Sequence, residues 1–146
     1  MIVLDTSIFI DAIIPFNMER HSIASKLLSI VSEQGLNIYE PQILTIELSG
    51  VLVRYKPRDI VEKHINEILR YINIIDYDEL HGIAYEIALT TGCRAIDSFF
   101  IACAKKTESI LVSNDKTQVR NTKKANIKAY HLIEDHKDIL KELHKF

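Results

Sequence analysis

Four acidic residues, each either just after an apolar strand or within an apolar helix, are the first candidates for chemistry. They are Asp5, Glu47, Asp97 and Asp115. An ionised carboxylate is costly to bury unless a cation pairs with it, and clustered carboxylates raise one another's pKa. A bound divalent ion removes that cost, and ligands that are all oxygen suit Mg²⁺ or Mn²⁺ rather than zinc. These residue types therefore predict an acidic metal site, provided that the fold brings the four together.

Two of the four acids follow short apolar runs that are typical of buried strands. Asp5 comes directly after Ile2–Leu4, and Asp115 lies shortly after Ile110–Val112. In open parallel sheets, ligands bind outside the carboxyl ends of the strands, at the point where the strand order reverses. The first and fourth strands often flank that point, so we expect Asp5 and Asp115 at one edge of a sheet.

The other two acids lie within predicted helices. Glu47 has apolar neighbours in a helix that Pro41 opens, and Asp97 is near the start of an almost wholly apolar helix. Each acid also has an ordinary explanation. Asp5, Asp97 and Asp115 can cap the helices beside them, and Glu47 can lie on an exposed helix face. One shared site accounts for all four positions at once.

Short apolar strands alternate with helical patterns along the chain. We predict five strands, at Ile2–Leu4, Leu36–Tyr39, Ile72–Ile75, Ile110–Val112 and Ile127–Tyr130. They are continuous apolar runs, as expected when helices cover both faces of a parallel sheet, so the fold class is α/β. Asp78 is expected to cap a helix that Gly92 ends, and the last helix is predicted over Leu132–Leu143.

Composition bounds the class of protein. With 146 residues, 47% of them hydrophobic, and only 4 Gly and 3 Pro, the chain is neither disordered nor collagen-like, and one domain over residues 1–146 is expected. Cys93 and Cys103 have no zinc-binding spacing, which favours buried thiols in a reducing, cytoplasmic compartment. No apolar run approaches the length of a membrane span, and we expect no signal peptide.

The segments that carry the four acids resemble those of a nuclease family. Leu4-Asp5-Thr6-Ser7, Glu47, Ala95-Ile96-Asp97 and Ser113-Asn114-Asp115 are similar to the four acidic motifs of PIN-domain ribonucleases, most of all the VapC-type toxins of toxin–antitoxin pairs. The motifs are separated by 42, 50 and 18 residues. One departure is the bulky pair Phe99-Phe100, which stands where small residues are common in the family.

The resemblance implies a three-layer α/β/α sandwich with a central, mainly parallel sheet. It also implies an endoribonuclease that depends on Mg²⁺ or Mn²⁺, works as a homodimer and is silenced by an antitoxin protein. By position, Asp5, Glu47, Asp97 and Asp115 correspond to the family's metal-binding and catalytic acids, and Thr6, Ser7 and Ser113 to its accompanying hydroxyls. We expect two ions with RNA bound, Asp5 bridging them because it ends the central strand. Asp11 is not one of the four acids; we expect it to be exposed on the first helix, the alternative being that it supports the site from outside the ligand set.

Basic residues follow the last acid and are candidates to contact RNA. They are Lys116, Arg120, Lys123 and Lys124, and Arg94 belongs to a smaller basic group elsewhere. Such a run is usually a solvated face, but this one leaves directly from the predicted site. The net charge of −2 argues against bulk attraction to nucleic acid, yet setting the four acids aside from 20 leaves 16 against 18 lysines and arginines. Recognition of RNA is therefore expected to be local.

Three other functions stay open at this point. A processing nuclease without an antitoxin would share the site, and a small upstream reading frame for a DNA-binding antitoxin would distinguish the two. A non-catalytic PIN module would bind RNA or protein without cleaving. A phosphotransferase with Asp5 as nucleophile would form a phospho-adduct there, but it would also want a second acid two residues later, where Ser7 stands.

Overall fold

The computed structural model describes residues 1–146 and contains a five-stranded parallel sheet. Its strands are β1 (Ile2–Leu4), β2 (Ile38–Pro41), β3 (Ile72–Ile75), β4 (Ile110–Ser113) and β5 (Ala129–His131). The spatial order is β3-β2-β1-β4-β5, and every neighbouring pair is parallel. The order reverses between β1 and β4, where Leu4 pairs with Val112. The predicted sheet and its switch point between the first and fourth strands are confirmed.

Eight helices cover the sheet. They are α1 (Thr6–Ile13), α2 (Met18–Glu33), α3 (Ile43–Leu52), α4 (Arg58–Leu69), α5 (Tyr77–Thr91), α6 (Ala95–Lys106), α7 (Lys116–Lys124) and α8 (His136–Leu143). Helices α1 to α4 pack with one another, and α5 to α7 form a second group. Right-handed crossovers place these groups on opposite faces, because the chain reverses direction across the sheet after β3. This is the three-layer α/β/α sandwich that the motifs imply.

The core lies between the sheet and its helices. All three residues of β1 are fully buried, which explains why this strand is a continuous apolar run. Helix α6 packs against β1, β2 and β4 and buries seven of its twelve residues. Among them, Phe100 has no exposed surface, and its neighbour Phe99 packs on Tyr77 with ring centroids 5.1 Å apart. The bulky pair after Asp97 is therefore part of the packing around α6.

Two helix starts differ from the sequence-based predictions. Helix α8 begins at His136 rather than Leu132, because a turn precedes it: the His131 N–H donates to Asp135 Oδ2 at 2.8 Å, and the Asp135 N–H donates to the His131 carbonyl at 2.9 Å. Helix α5 begins at Tyr77, so Asp78 lies in its first turn, and the N-cap residue Asp76 makes no capping hydrogen bond with its side chain. No single helix is long and apolar enough to cross a membrane, and only the pair α5–α6, bent by 114°, meets that test jointly.

Candidate acidic nuclease site

Asp5 lies at the middle of the carboxyl edge of the sheet, where β1 ends and α1 begins. It is only 7% exposed, and it caps α1. Its Oδ2 accepts hydrogen bonds from the hydroxyls of Ser7, at 2.6 Å, and Ser113, at 2.9 Å. Its Oδ1 accepts no hydrogen bond from the protein. One oxygen of this buried carboxylate is therefore free to contact a ligand.

Burial and neighbouring charge leave the Asp5 carboxylate poorly stabilised. Burial raises the pKa of Asp5, and the negative charge of Asp97 raises it further, although the hydrogen bonds from Ser7 and Ser113 oppose both effects. A carboxyl group in this state gains from any cation that reaches it.

Glu47 reaches the same edge from α3. The Thr6 hydroxyl donates to Glu47 Oε2 at 2.5 Å, and the other carboxylate oxygen accepts no hydrogen bond from the protein. Partial burial raises the pKa of Glu47, and the charges of Asp5 and Asp97 raise it further. Because Thr6 directly follows Asp5 in the chain, its hydrogen bond to Glu47 ties α3 to the end of β1 and brings two carboxylates from separate segments to one place.

Arg94 is the one cation that touches the acids. Its Nε and Nη2 donate to the two oxygens of Asp97, at 2.9 and 3.3 Å, and Nη2 also donates to Asp115 Oδ2 at 3.2 Å. These hydrogen bonds raise the pKa of Arg94. Asp97 is 4% exposed, so the pair compensates a carboxylate that is costly to bury. Sequence reasoning placed Arg94 in a minor basic group and missed this role, although a spacing of three residues is a signal for such a pair.

The ordinary explanations hold for some of the acids. Asp115 caps α7, because its Oδ1 accepts from the N–H groups of Thr117 and Gln118 at 2.8 and 3.3 Å, while Oδ2 faces Arg94. Asp5 likewise both caps a helix and faces the site. Asp97 is not a cap; it lies in the first turn of α6. Capping and site formation are thus compatible.

Asp11 was expected to be exposed, and this expectation is wrong. The side chain is 3% exposed, pairs with Arg20 at 3.0 Å and accepts a hydrogen bond from the Asn114 amide. The Asn114 N–H in turn donates to Ser7 Oγ at 3.1 Å. Helix α1 therefore packs against the loop that carries Asp115, a contact across about a hundred residues that helical spacing cannot reveal. Asp11 and Asn114 position that loop.

The four residues predicted to contact RNA line one pocket. Lys116, Arg120, Lys123 and Lys124 line a cavity of about 560 Å³ together with Val119, His131, Glu134 and Asp135. Lys116 pairs with Glu134 and lowers the pKa of that carboxyl. Arg120, Lys123 and Lys124 form no ion pair. Helix α7 begins directly after Asp115, so this basic pocket is built largely on the helix that the last of the four acids caps.

The donor set fits a hard divalent cation. We call Asp5, Glu47, Asp97 and Asp115 the acidic cluster; it offers only oxygen ligands, and a single guanidinium offsets its charge. Asp5 and Glu47 each keep one oxygen that accepts no hydrogen bond. No three acidic, His or Cys side chains already surround a common point, because Asp97 and Asp115 are turned to Arg94. An ion would therefore be held after a local rearrangement of side chains.

Solved structures share this fold. FitAcB from Neisseria gonorrhoeae superposes with a TM-score of 0.71 at 23% identity, over 92% of this chain and 99% of that chain. VapBC2 from Rickettsia felis, bound to a DNA fragment from their promoter, superposes with a TM-score of 0.68 at 18% identity, over 90% of this chain and 98% of that chain. A toxin-antitoxin complex from Klebsiella pneumoniae superposes with a TM-score of 0.61 at 14% identity, over 82% of this chain and 90% of that chain. At these identities the likeness shows the fold alone.

The sequence itself assigns the family. No curated protein matches the chain. The family model of the PIN domain matches residues 2–124, a range that contains the whole acidic cluster and four of the five strands. The chain therefore belongs to the PIN domain family.

Proposed function

We propose that this protein is a divalent-metal-dependent endoribonuclease that hydrolyses RNA phosphodiester bonds at the acidic cluster, in the cytoplasm. The observation that carries the proposal is the excess of carboxylates: four meet at the switch point of the sheet, with one guanidinium among them. Such an excess destabilises the fold unless cations bind there. Membership of the PIN domain family supports nuclease chemistry as the use of that site.

The four acids are the proposed ligands of Mg²⁺ or Mn²⁺, with two ions when RNA is bound. When bound, the ions supply an activated water and a positive charge for the leaving oxygen. Ser7 and Ser113 hold one oxygen of Asp5 and leave the other open, and Thr6 does the same for Glu47. These hydroxyls therefore orient carboxylates, so that less freedom is lost when a cation binds.

An Asp97→Asn substitution tests the catalytic part of the proposal. It keeps the size of the side chain but removes a charge that ion binding needs, so we expect cleavage of single-stranded RNA with Mg²⁺ or Mn²⁺ to be lost. Asp59→Asn, on the exposed first turn of α4, is the matched control and should cleave like the wild type. A folded Asp97→Asn protein that cleaves at the wild-type rate contradicts the proposal.

The basic pocket is the proposed path of the RNA backbone. Replacing Arg120, Lys123 and Lys124 with Gln removes three cations of the basic pocket that form no ion pair. The plot of log RNA affinity against log salt has a negative slope, and the magnitude of this slope should decrease by about 2, since each single-strand phosphate contact contributes roughly 0.7 to it. The control replaces Lys26, Arg58 and Lys63 with Gln, which changes the net charge equally. Equal slopes for the two triple variants would exclude this path.

We further propose that the protein is the toxin of a toxin–antitoxin pair and forms a homodimer. The motif resemblance to VapC-type toxins and the structural likeness to a toxin–antitoxin complex support this proposal. Expression alone should arrest growth, co-expression of an antitoxin from an adjacent reading frame should restore it, and Asp97→Asn should be harmless. Sedimentation should show two copies. Cleavage without growth arrest would instead favour an RNA-processing nuclease.

A further inference from the structure

Arg94 occupies the oxygens that a metal ion needs. Its guanidinium spans both oxygens of Asp97 and also contacts Oδ2 of Asp115. The other Asp115 oxygen caps α7. In this arrangement, Asp97 and Asp115 have no oxygen left that is free of a protein hydrogen bond. A divalent ion that binds them competes with the guanidinium, because both cations are drawn to the same carboxylate oxygens and repel each other.

The Arg94 side chain is also free to move away from the carboxylates. Its side chain is 75% exposed, whereas that of Asp97 is 5% exposed, so the guanidinium covers the carboxylates from the solvent side. Its backbone is fixed as the N-cap of α6, where the Arg94 carbonyl accepts the Ser98 N–H at 3.0 Å. The side chain can therefore swing outward while the helix that carries Asp97 stays in place.

A phosphodiester is the partner that suits the displaced guanidinium. Arginine binds phosphate with two parallel hydrogen bonds, as it binds a carboxylate, and the two anions therefore compete for it. RNA is the phosphodiester expected at this edge of the sheet, next to the basic pocket. A phosphate that takes Arg94 would release the oxygens of Asp97 and Asp115 for an ion.

We propose that Arg94 is an internal counter-ion that blocks the metal ligands Asp97 and Asp115 until the RNA backbone draws it away, so that RNA and the divalent ion bind with positive coupling. This inference rests on the proposed metal-dependent function. The coupling is reciprocal: RNA tightens the binding of the ion, and the ion tightens the binding of RNA by the same factor. Without RNA, the arginine weakens the binding of an ion to these two carboxylates.

Mn²⁺ binding measures this coupling directly. Mn²⁺ is titrated by calorimetry at low temperature into the wild type, Arg94→Gln and Arg58→Gln, with and without a short single-stranded RNA whose integrity is checked afterwards. Arg58 is exposed on α4, so its variant is a charge-matched control. Arg94→Gln should bind Mn²⁺ about ten-fold more tightly than the wild type without RNA. RNA should tighten Mn²⁺ binding by roughly five-fold or more in the wild type and the control, and by less than about two-fold in Arg94→Gln.

Controls separate this inference from the metal site itself. A neutral methylphosphonate oligonucleotide should give no coupling, because it lacks the anionic phosphate that Arg94 would bind. Arg94→Lys keeps the charge without the planar fork, so its Mn²⁺ affinity and its coupling to RNA should fall between those of the wild type and Arg94→Gln. The Arg94→Lys variant also provides the test if Arg94→Gln does not fold. Unchanged Mn²⁺ affinity or unchanged coupling in the folded Arg94 variants overturns the inference. Mn²⁺ binding that survives in Asp97→Asn would instead overturn the metal site.

Discussion

Carboxylates are balanced very differently at the acidic cluster and at Glu142 on α8. Glu142 accepts hydrogen bonds from Lys128 at 2.8 Å and Lys145 at 2.7 Å, and these two cations lower its pKa to about 2. In the acidic cluster one arginine serves four carboxylates, and the pKa values of Asp5 and Glu47 are raised by burial and repulsion. One region has a surplus of positive charge and the other a surplus of negative charge.

This difference separates a structural ion pair from a site that needs a ligand. Two lysines already stabilise the charge of Glu142, and a further cation would add little stabilisation. The acidic cluster costs the fold free energy in the absence of a ligand, and the proposed binding of a divalent ion would offset that cost. A local excess of like charge, held in place by serine and threonine hydroxyls, is therefore better evidence of function than the number of acidic residues.

The largest expected effect comes from changing one carboxylate in each region. Asp5→Asn should lower the rate of metal-dependent RNA cleavage by on the order of 10³-fold or more, because it removes the proposed bridging ligand. Glu142→Gln removes the same unit of charge far from the cluster and should leave the rate unchanged. Single-turnover cleavage assays of both variants make the comparison. Similar rates for the two would mean that the excess charge has no part in the chemistry.

Ion binding should stabilise the protein through one region only. At Mn²⁺ concentrations of about 100 times the dissociation constant, the free energy of unfolding should rise by about 2.7 kcal/mol, and a chelator should reverse the gain. The gain should persist in Glu142→Gln and disappear in Asp5→Asn. Denaturant titrations with and without Mn²⁺ measure it. Equal stabilisation of both variants would place the ion outside the acidic cluster.

The acids of the cluster were predictable from sequence, whereas their positioning partners were not. Asp5 and Asp115 follow apolar strands, so topology alone brings them to one edge. Asp11 was assigned to an exposed face, because its contact with Asn114 joins distant segments and leaves no periodic trace. Arg94 does have a sequence signal, because it stands three residues before Asp97, but an exposed arginine has many possible partners. Local sequence pattern predicts which acids meet, and tertiary packing decides which residues hold them in place.

Glu40 on β2 sharpens the comparison, because it is a carboxyl group with no cation at all. It has no exposed surface; one oxygen accepts the Leu4 N–H at 2.7 Å, and the other has no partner. Burial raises the pKa of Glu40 well above its usual value, and the charge of Asp5 adds to this. The stability that this group contributes is full below about pH 4.3 and is lost as the pH rises through its folded pKa.

Glu40→Gln should therefore stabilise the protein as the pH rises. The amide cannot ionise, and its oxygen can still accept the Leu4 N–H, so the variant escapes the cost of a buried charge. We expect a gain on the order of 1 kcal/mol over the wild type at high pH, shrinking towards pH 4. Urea unfolding across this range gives the difference. A gain that is constant with pH would show that folding does not raise the pKa of Glu40.

The smallest expected effect is the loss of the ion pairs that Glu142 makes with Lys128 and Lys145. Glu142→Gln should destabilise the fold by about 0.5–1 kcal/mol at neutral pH, because both lysines are largely exposed and solvent screens them. The pKa of Glu142 is lower in the folded protein than in the unfolded chain, so the contribution is present above about pH 4.3 and is lost as the pH falls towards 2. The pH trend is therefore opposite to that of Glu40. High salt should weaken the effect of Glu142→Gln, and a loss that resists salt would mean that packing of the side chain, not its charge, stabilises α8.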